Sequence, residues 1–176
     1  MEEQKDKVGF VQESCITNGG VRTVIHGMFA PGAMAPMHYH TEFNESFEVL
    51  KGELSVWNDG KKIILKAGDK ATIQRKVHHK FKNESEAMVE ALVITEPGYE
   101  PFEQNIKIMM GLQKDGLIEQ LSKMTPKMIP LGMILTDLSN THLVGGVGLM
   151  FKVMSLFYNK EKIALRKQEL IEKYCS

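Results

Sequence analysis

The chain has 176 residues, with 22 Lys and Arg set against 22 Asp and Glu, which is long enough to bury a hydrophobic core without disulfide staples. The balanced charge gives no support to a phosphate-backbone partner, so nucleic-acid binding is not expected, and pairs such as Lys61-Lys62 and Lys160/Lys162 read as solvated faces. The two cysteines, Cys15 and Cys175, sit near opposite ends without metal-ligand spacing, which fits a reducing compartment and a cytoplasmic protein.

Residues 1–7 are charged with no apolar segment behind them, so fraying is expected there and a signal peptide is not. Val8–Gln12 reads as a short strand, Asn18-Gly19-Gly20 as a turn, and Arg22–Phe29 as a strand carrying Val24, Ile25, Met28 and Phe29. After Ala30-Pro31-Gly32, Pro36 opens an extended piece with His38 and His40, and Thr41–Asn44 is polar and loop-like. Ser46–Leu50 and Glu53–Trp57 read as strands, and Asn58-Asp59-Gly60 is a strong hairpin signal leading back through Lys61–Leu65. Ala71–Gln74, His78–Lys82 and Ala87–Thr95 complete a series of short strands with closely spaced turns. That rhythm, without βαβ units, predicts a mainly β antiparallel sandwich or barrel.

Composition changes after Glu96-Pro97-Gly98. Tyr99–Gln104, with Pro101, looks like a linker. Ile106–Met124 has helical spacing through Ile106, Met109, Met110, Leu117, Leu121 and Met124, although Gly111 and Gly116 weaken it by about 1 kcal/mol each at interior sites. Thr125-Pro126 and Ile129-Pro130 read as breaks. Leu131–Tyr158 is a second, more apolar helical region, split at Ser139-Asn140-Thr141 or at its glycines, and Asn159–Tyr174 reads as a final amphipathic helix. The chain thus divides into a β unit over residues 1–100 and a helical extension over 101–176. Met128–Tyr158 is interrupted by Asp137, Asn140, His142 and Lys152, so no transmembrane segment is predicted from the requirement for about 20 near-continuous apolar residues. So apolar an extension must cover something: a mouth or face of the barrel first, a dimer interface second, a lipid surface last. Its methionines, including Met109, Met110, Met133 and Met150, read as core, with a greasy ligand-binding lid as the sharper alternative.

The chemistry gathers between Gly32 and Asn83. His38 and His40, two apart on an extended piece, point to one face with Cα atoms about 7 Å apart. Glu45 follows across a bend, and His79 arrives from a later hairpin. Three neutral imidazoles and a carboxylate suit a divalent transition metal, Fe, Mn, Ni, Cu or Zn, and leave open positions on a five- or six-coordinate ion. His78 faces the opposite side of its strand and would serve only in a slipped register. Glu42 reads as solvent-facing, Glu48 as an outer-face residue or an inward general base, and His26 and His142 as surface histidines. Met28, Met34, Met37, Phe47, Val49, Trp57 and Phe81 are candidates for the barrel interior. No nucleophilic triad, P-loop or dinucleotide glycine pattern is present.

The array Gly32-x5-His38-x-His40-x4-Glu45-x6-Gly52 resembles the first motif of the cupin superfamily at every position, and Gly68, His79 and Asn83 resemble the second. Gln74 stands where that second motif carries proline and Lys76 where it carries glycine, which affects the turn before His79 and leaves the ligand itself in place. The resemblance covers roughly residues 22–95. It implies a double-stranded β-helix, a jelly-roll barrel with C-terminal α-helices here, a homodimer, and a metal held by His38, His40, Glu45 and His79. The family's oxygenases, decarboxylases and sugar isomerases imply a metal-dependent oxygenase or isomerase acting on a small molecule, with Glu45 as a ligand or a catalytic proton acceptor. The alternative it implies is a non-catalytic small-ligand-binding or sensor protein. A DNA-binding regulator is not expected, because the extension has Leu, Met and Gly where a recognition helix would carry Arg and polar groups.

Overall fold

In β4 (Asn44–Lys51) Glu45, Ser46 and Phe47 are buried, and from Phe47 on burial alternates through half-exposed Glu48, buried Val49 and exposed Leu50, as in a strand with one face on a core. The computed structural model describes residues 9–117 and 128–175. Its other strands are β1 (Gly9–Glu13), β2 (Thr23–Phe29), β3 (Met34–Tyr39), β5 (Glu53–Asn58), β6 (Lys61–Lys66), β7 (Lys70–Ile73), β8 (His79–Lys82), β9 (Val89–Glu96) and a two-residue β10 (His142–Leu143). They form two five-stranded antiparallel sheets, ordered β1-β2-β9-β4-β7 and β10-β3-β8-β5-β6. This is the double-stranded β-helix expected from the motifs. The β5–β6 hairpin closes at Asn58↔Lys61, with Asp59 at φ 49° and Gly60 at φ 78°, the two positive angles that a tight I′-type connection requires.

Between the sheets lie Phe47, Val49, Leu54, Val56, Val89 and Ala91, all fully buried. A run of rings, Phe29 to Phe81 at 5.0 Å and Phe81 to Phe47 at 5.4 Å, fills the interior. Phe47, Val49 and Phe81 are therefore interior as expected, whereas Met34 is exposed. Trp57 is only partly buried, with Lys62 and Lys80 over its ring at 5.0 and 4.3 Å. Those lysines are its cross-strand partners on β6 and β8.

Four helices are present among the described residues: α1 (Glu100–Lys114), α2 (Ile129–Leu138), α3 (Gly145–Ser155) and α4 (Lys160–Cys175). Two prolines read as linker or break residues instead sit in first turns, Pro101 in α1 and Pro130 in α2, where the missing N–H costs nothing. Accordingly α1 starts at Glu100, ahead of the expected Ile106, and it stops before Gly116, with the Leu117 N–H donating to the Leu112 carbonyl at 2.8 Å. The expected continuation through Leu121 and Met124, the break at Thr125-Pro126 and the frayed start lie outside the described residues. The second apolar region does split at Ser139-Asn140-Thr141, and Asn159 caps α4 through its Oδ1, which accepts from the Lys162 N–H at 3.0 Å. No described helix is long and apolar enough to cross a membrane.

Helix α1 joins the two halves. Phe102 and Ile106, with Tyr99 just before the helix, pack into the barrel core, while Ile108 and Leu112 pack with Ile134, Leu135, Leu138 and Leu170. Helix α1 therefore packs on the barrel with one part and on α2 and α4 with the other. Gly111 is what lets α4 approach, because a Cβ there would meet the Tyr174 ring at 2.0 Å. The methionines divide: Met109 packs against the helical core, while Met110 and Met150 are exposed.

A buried carboxylate fastens α1 to the sheet. Glu103 is 1% exposed and accepts from Ser14 Oγ at 2.7 Å, the Cys15 N–H at 2.6 Å and Thr23 Oγ1 at 2.7 Å. Burial alone would raise its pKa, but these donors outweigh burial and hold the carboxyl below its ordinary range. Removing it leaves three donors without an acceptor, so Glu103→Ala is expected to cost about 3 kcal/mol in urea unfolding at neutral pH. A lowered folded-state pKa means that the unfolded chain binds more protons in acid. The contribution is thus complete above the ordinary glutamate pKa of about 4.3 and fades as pH falls below it. Between neutral pH and about pH 3.5, the wild type should lose more stability than Glu103→Gln, and equal losses would dismiss this account.

The turn before β8 generates a second expectation. Val77 N–H donates to the Gln74 carbonyl at 3.2 Å, and Lys76, in the place of the motif glycine, takes φ 66°. The chain keeps a glycine-type turn with a residue that pays about 1–2 kcal/mol for the left-handed conformation. Glycine regains part of that at some cost in unfolded-state entropy, so Lys76→Gly should raise the unfolding free energy by about 0.5–1 kcal/mol. A decrease would show that the lysine side chain supports the turn.

Candidate metal centre

His38 lies near the end of β3 and His79 opens β8, and the two are direct cross-strand partners, so both side chains leave the same face of one sheet. Glu45 comes from β4 in the facing sheet. His40 lies just past the end of β3, where its carbonyl accepts the Lys76 N–H at 2.7 Å. One ligand atom from each of these four residues lies within 4.8 Å of the others. All four are buried, with exposures of 4% for His38, 3% for His40, 5% for Glu45 and 1% for His79.

The imidazoles are oriented from behind. His38 Nδ1 faces the Pro36 carbonyl at 2.7 Å, His79 Nδ1 the Val77 carbonyl at 3.0 Å, and His40 Nδ1 the Asn140 carbonyl at 3.0 Å. A carbonyl only accepts, so each Nδ1 carries the proton and each Nε2 is directed to the cluster. His79 Nε2 sits 2.9 Å from Glu45 Oε2. His40 Nε2 stands 3.7 Å from the same oxygen and is a buried nitrogen with no hydrogen-bond partner.

Burial pushes His38 down to about 4, against the pull of Glu45, so it stays neutral at physiological pH. For His79, burial lowers the pKa but the bond to Glu45 more than reverses it, and the ring is shifted up. Burial would raise the Glu45 carboxyl; the nearby His40 and His79 imidazoles, the latter hydrogen-bonded to it, outweigh burial and hold the group well below the ordinary carboxylate range. An anionic carboxylate, three oriented imidazoles and an unpartnered buried nitrogen make a donor set that fits a divalent transition metal, which His38, His40, Glu45 and His79 would hold.

The rival residues fall away. His78 turns outward, with its ring 5.5 Å from Tyr39. Glu42 is exposed, and Glu48 lies on the outer face 4.0 Å from Lys70. His26 sits beside Glu90 and Phe10, and the exposed His142 stacks on Tyr39 at 4.9 Å. Asn83, the last motif residue, clamps a turn: its Nδ2 donates to the Phe29 and Ala87 carbonyls at 2.9 and 2.7 Å.

Two residues escaped the sequence reading. Asn140 appeared only as a helix break, because its contact with His40 spans 100 positions. Thr95 is fully buried with no partner for its hydroxyl and is the cross-strand partner of Glu45. Only strand pairing shows that, since alternation within β9 says nothing about its neighbour.

Residues 25–95 match the family described as Cupin domain. An uncharacterized protein of Aquifex aeolicus (strain VF5) is 41% identical over 63 residues, which are 36% of this chain and 51% of that protein. This chain thus spans about half the length of that curated relative. TT1209 from Thermus thermophilus is similar over 56% of this chain and 88% of its own, with 22% identity and a TM-score of 0.45. KdgF from Halomonas sp. is similar over 51% and 76%, with 18% identity and a TM-score of 0.46. The matched stretch contains both sheets' central strands and all four members of the His38, His40, Glu45 and His79 cluster, and residues 25–95 of this chain are a cupin domain.

Proposed function

We propose that the protein is a metal-dependent enzyme acting on a small molecule, an oxygenase or an isomerase, with the ion held by His38, His40, Glu45 and His79. The observation that carries this reading is the convergence of four buried donor atoms within 4.8 Å, three of them on imidazoles whose other nitrogen faces a backbone carbonyl. A bound Fe, Mn, Ni, Cu or Zn ion would supply Lewis acidity toward a carbonyl or hydroxyl oxygen and, where redox-active, access to oxygen chemistry. Glu45, hydrogen-bonded to His79, would remain a ligand or shift to take a proton from a bound substrate. Phe43 stacks on His40 at 4.6 Å and lies 5.5 Å from both Tyr99 and Phe102, so aromatic rings exclude water beside the cluster. The rings of Phe29, Phe81 and Phe47 also occupy the interior, which favours a small substrate.

A second reading, a non-catalytic small-ligand-binding or sensor protein, draws on the burial of all four donors, since a closed shell suits an ion that exchanges nothing. Metal content of protein purified without chelator or affinity-tag metal tests the common premise. The expected result is about one ion per chain, falling at least tenfold in His79→Ala. Absence of metal after anaerobic reconstitution would overturn it. Water-proton relaxation of the Mn-loaded protein then separates the two readings. Exchangeable bound water, together with oxygen uptake or isomerisation on a panel of hydroxy-carbonyl compounds, supports the enzyme, and a water-free ion supports the binding protein.

A further inference from the structure

We propose that residues 140–144, outside the cupin domain, are a working part of the metal site, with Asn140 as the positioning residue of His40, so that ion binding and docking of this segment are coupled. The inference rests on the metal-binding reading above. Its starting point is a contrast among the three imidazoles. His38 and His79 each bond through Nδ1 to a carbonyl two residues back, Pro36 in β3 and Val77 in the turn before β8. His40 has no such local partner and uses the Asn140 carbonyl, 100 residues away. The proton position of one ligand out of three is thus set by the helical extension. It is also the ligand whose Nε2 is buried without a partner.

Asn140 holds the neighbourhood with its side chain as well. Its Oδ1 accepts from the Thr41 N–H at 2.5 Å, Thr41 Oγ1 at 3.1 Å and the Glu42 N–H at 3.1 Å, fixing the two residues that follow His40. The residue type follows from the backbone: φ is 49°, a left-handed angle that asparagine tolerates and alanine resists. The segment then continues along the ligand strand. His142 and Leu143 pair with Tyr39 and His38 as β10, and the Val144 N–H donates to the Met37 carbonyl at 3.1 Å. From the other side, the Thr141 N–H returns to the Thr136 carbonyl of α2 at 2.8 Å. One short piece of chain therefore spans the end of α2 and the whole ligand-bearing end of β3. If it orders His40 for the ion, the ion must in turn favour its docking, because coupling between two binding equilibria is reciprocal.

The test uses the full chain with Co(II) and Zn(II). Asn140→Ala should weaken Co(II) binding about 10- to 100-fold and alter the visible ligand-field spectrum, whereas Asn140→Asp, which keeps the acceptor and the left-handed preference, should stay within about threefold of wild type. Leu65→Ala, which destabilises the barrel core without touching this segment, should leave the affinity of the folded protein unchanged. Zn(II) should also slow hydrogen exchange at Thr41, Glu42 and 142–144 in the wild type, and much less in Asn140→Ala. If Asn140→Ala does not fold, Asn140→Gly keeps the backbone angle and carbonyl, loses only the side-chain clamp, and should weaken binding in the same direction. Wild-type affinity, spectrum and exchange in the Asn140 variants, with binding still lost in His79→Ala, would overturn this inference and leave the metal reading standing. No Co(II) binding by the wild type would overturn both.

Discussion

The structure turns on the cost of burying Glu45. A carboxylate that is 5% exposed inside a β-barrel is tolerable only when its charge is met by donors or by a cation. Here the charge is met by His79 at 2.9 Å and His40 at 3.7 Å. That requirement fixes the register of the two sheets: β4 must present Glu45 inward at the level where β3 and β8, paired at His38↔His79, present their imidazoles. A one-residue slip in any of these strands would send its ligand to solvent and bring an outer-face residue such as His78 or Glu48 inside. The chemistry of the centre and the register of the barrel are therefore the same constraint.

A second buried carboxylate stands at the far side of the same sheet. The register runs Glu45↔Thr95 on β9 and Thr95↔Thr23 on β2, and Thr23 Oγ1 donates to Glu103 of α1. A row of polar residues thus crosses the sheet from the metal centre to the helix that covers the barrel. Glu103 is satisfied by three donors, Glu45 by imidazoles alone, and the Thr95 hydroxyl between them has no protein partner. The saturated end is the structural fastening. The under-supplied end is where a ligand's charge or hydrogen bonds have something to gain.

Much of this was legible in the sequence, for reasons specific to each element. The spacing His38-x-His40 with Glu45 and His79 encodes its own geometry once the segments are extended, because alternation decides which side chains share a face. The hairpin at Asp59-Gly60 is legible because few residues accept two successive positive φ angles. The failures have equally definite causes. Pro101 and Pro130 carry the same local signal whether they end a helix or begin one, and only the packing of Phe102 and Ile129 decides. Gly111 reads as a helix weakener until the Tyr174 ring is seen lying against it. Lys76 shows that a departure from a motif need not mean a departure from its backbone: the turn keeps φ 66° without glycine, and the N–H there still donates to the His40 carbonyl.

His40 brings these threads together. It lies beyond the end of β3, so the ladder that holds His38 and His79 does not hold it. Its carbonyl is gripped by the β7–β8 turn through Lys76 and its ring by Asn140, with Phe43 stacked on one face. Each support comes from a different part of the chain, and each is individually weak on the scale of a net hydrogen bond, about 1 kcal/mol. A ligand held in this way reports on all of them, because loosening the turn, the extension or the aromatic contact changes the same imidazole. The other two imidazoles are oriented by carbonyls only two residues away, Pro36 and Val77. Three of the four donors are thus oriented within the barrel, and the fourth takes its orienting carbonyl from the chain beyond it.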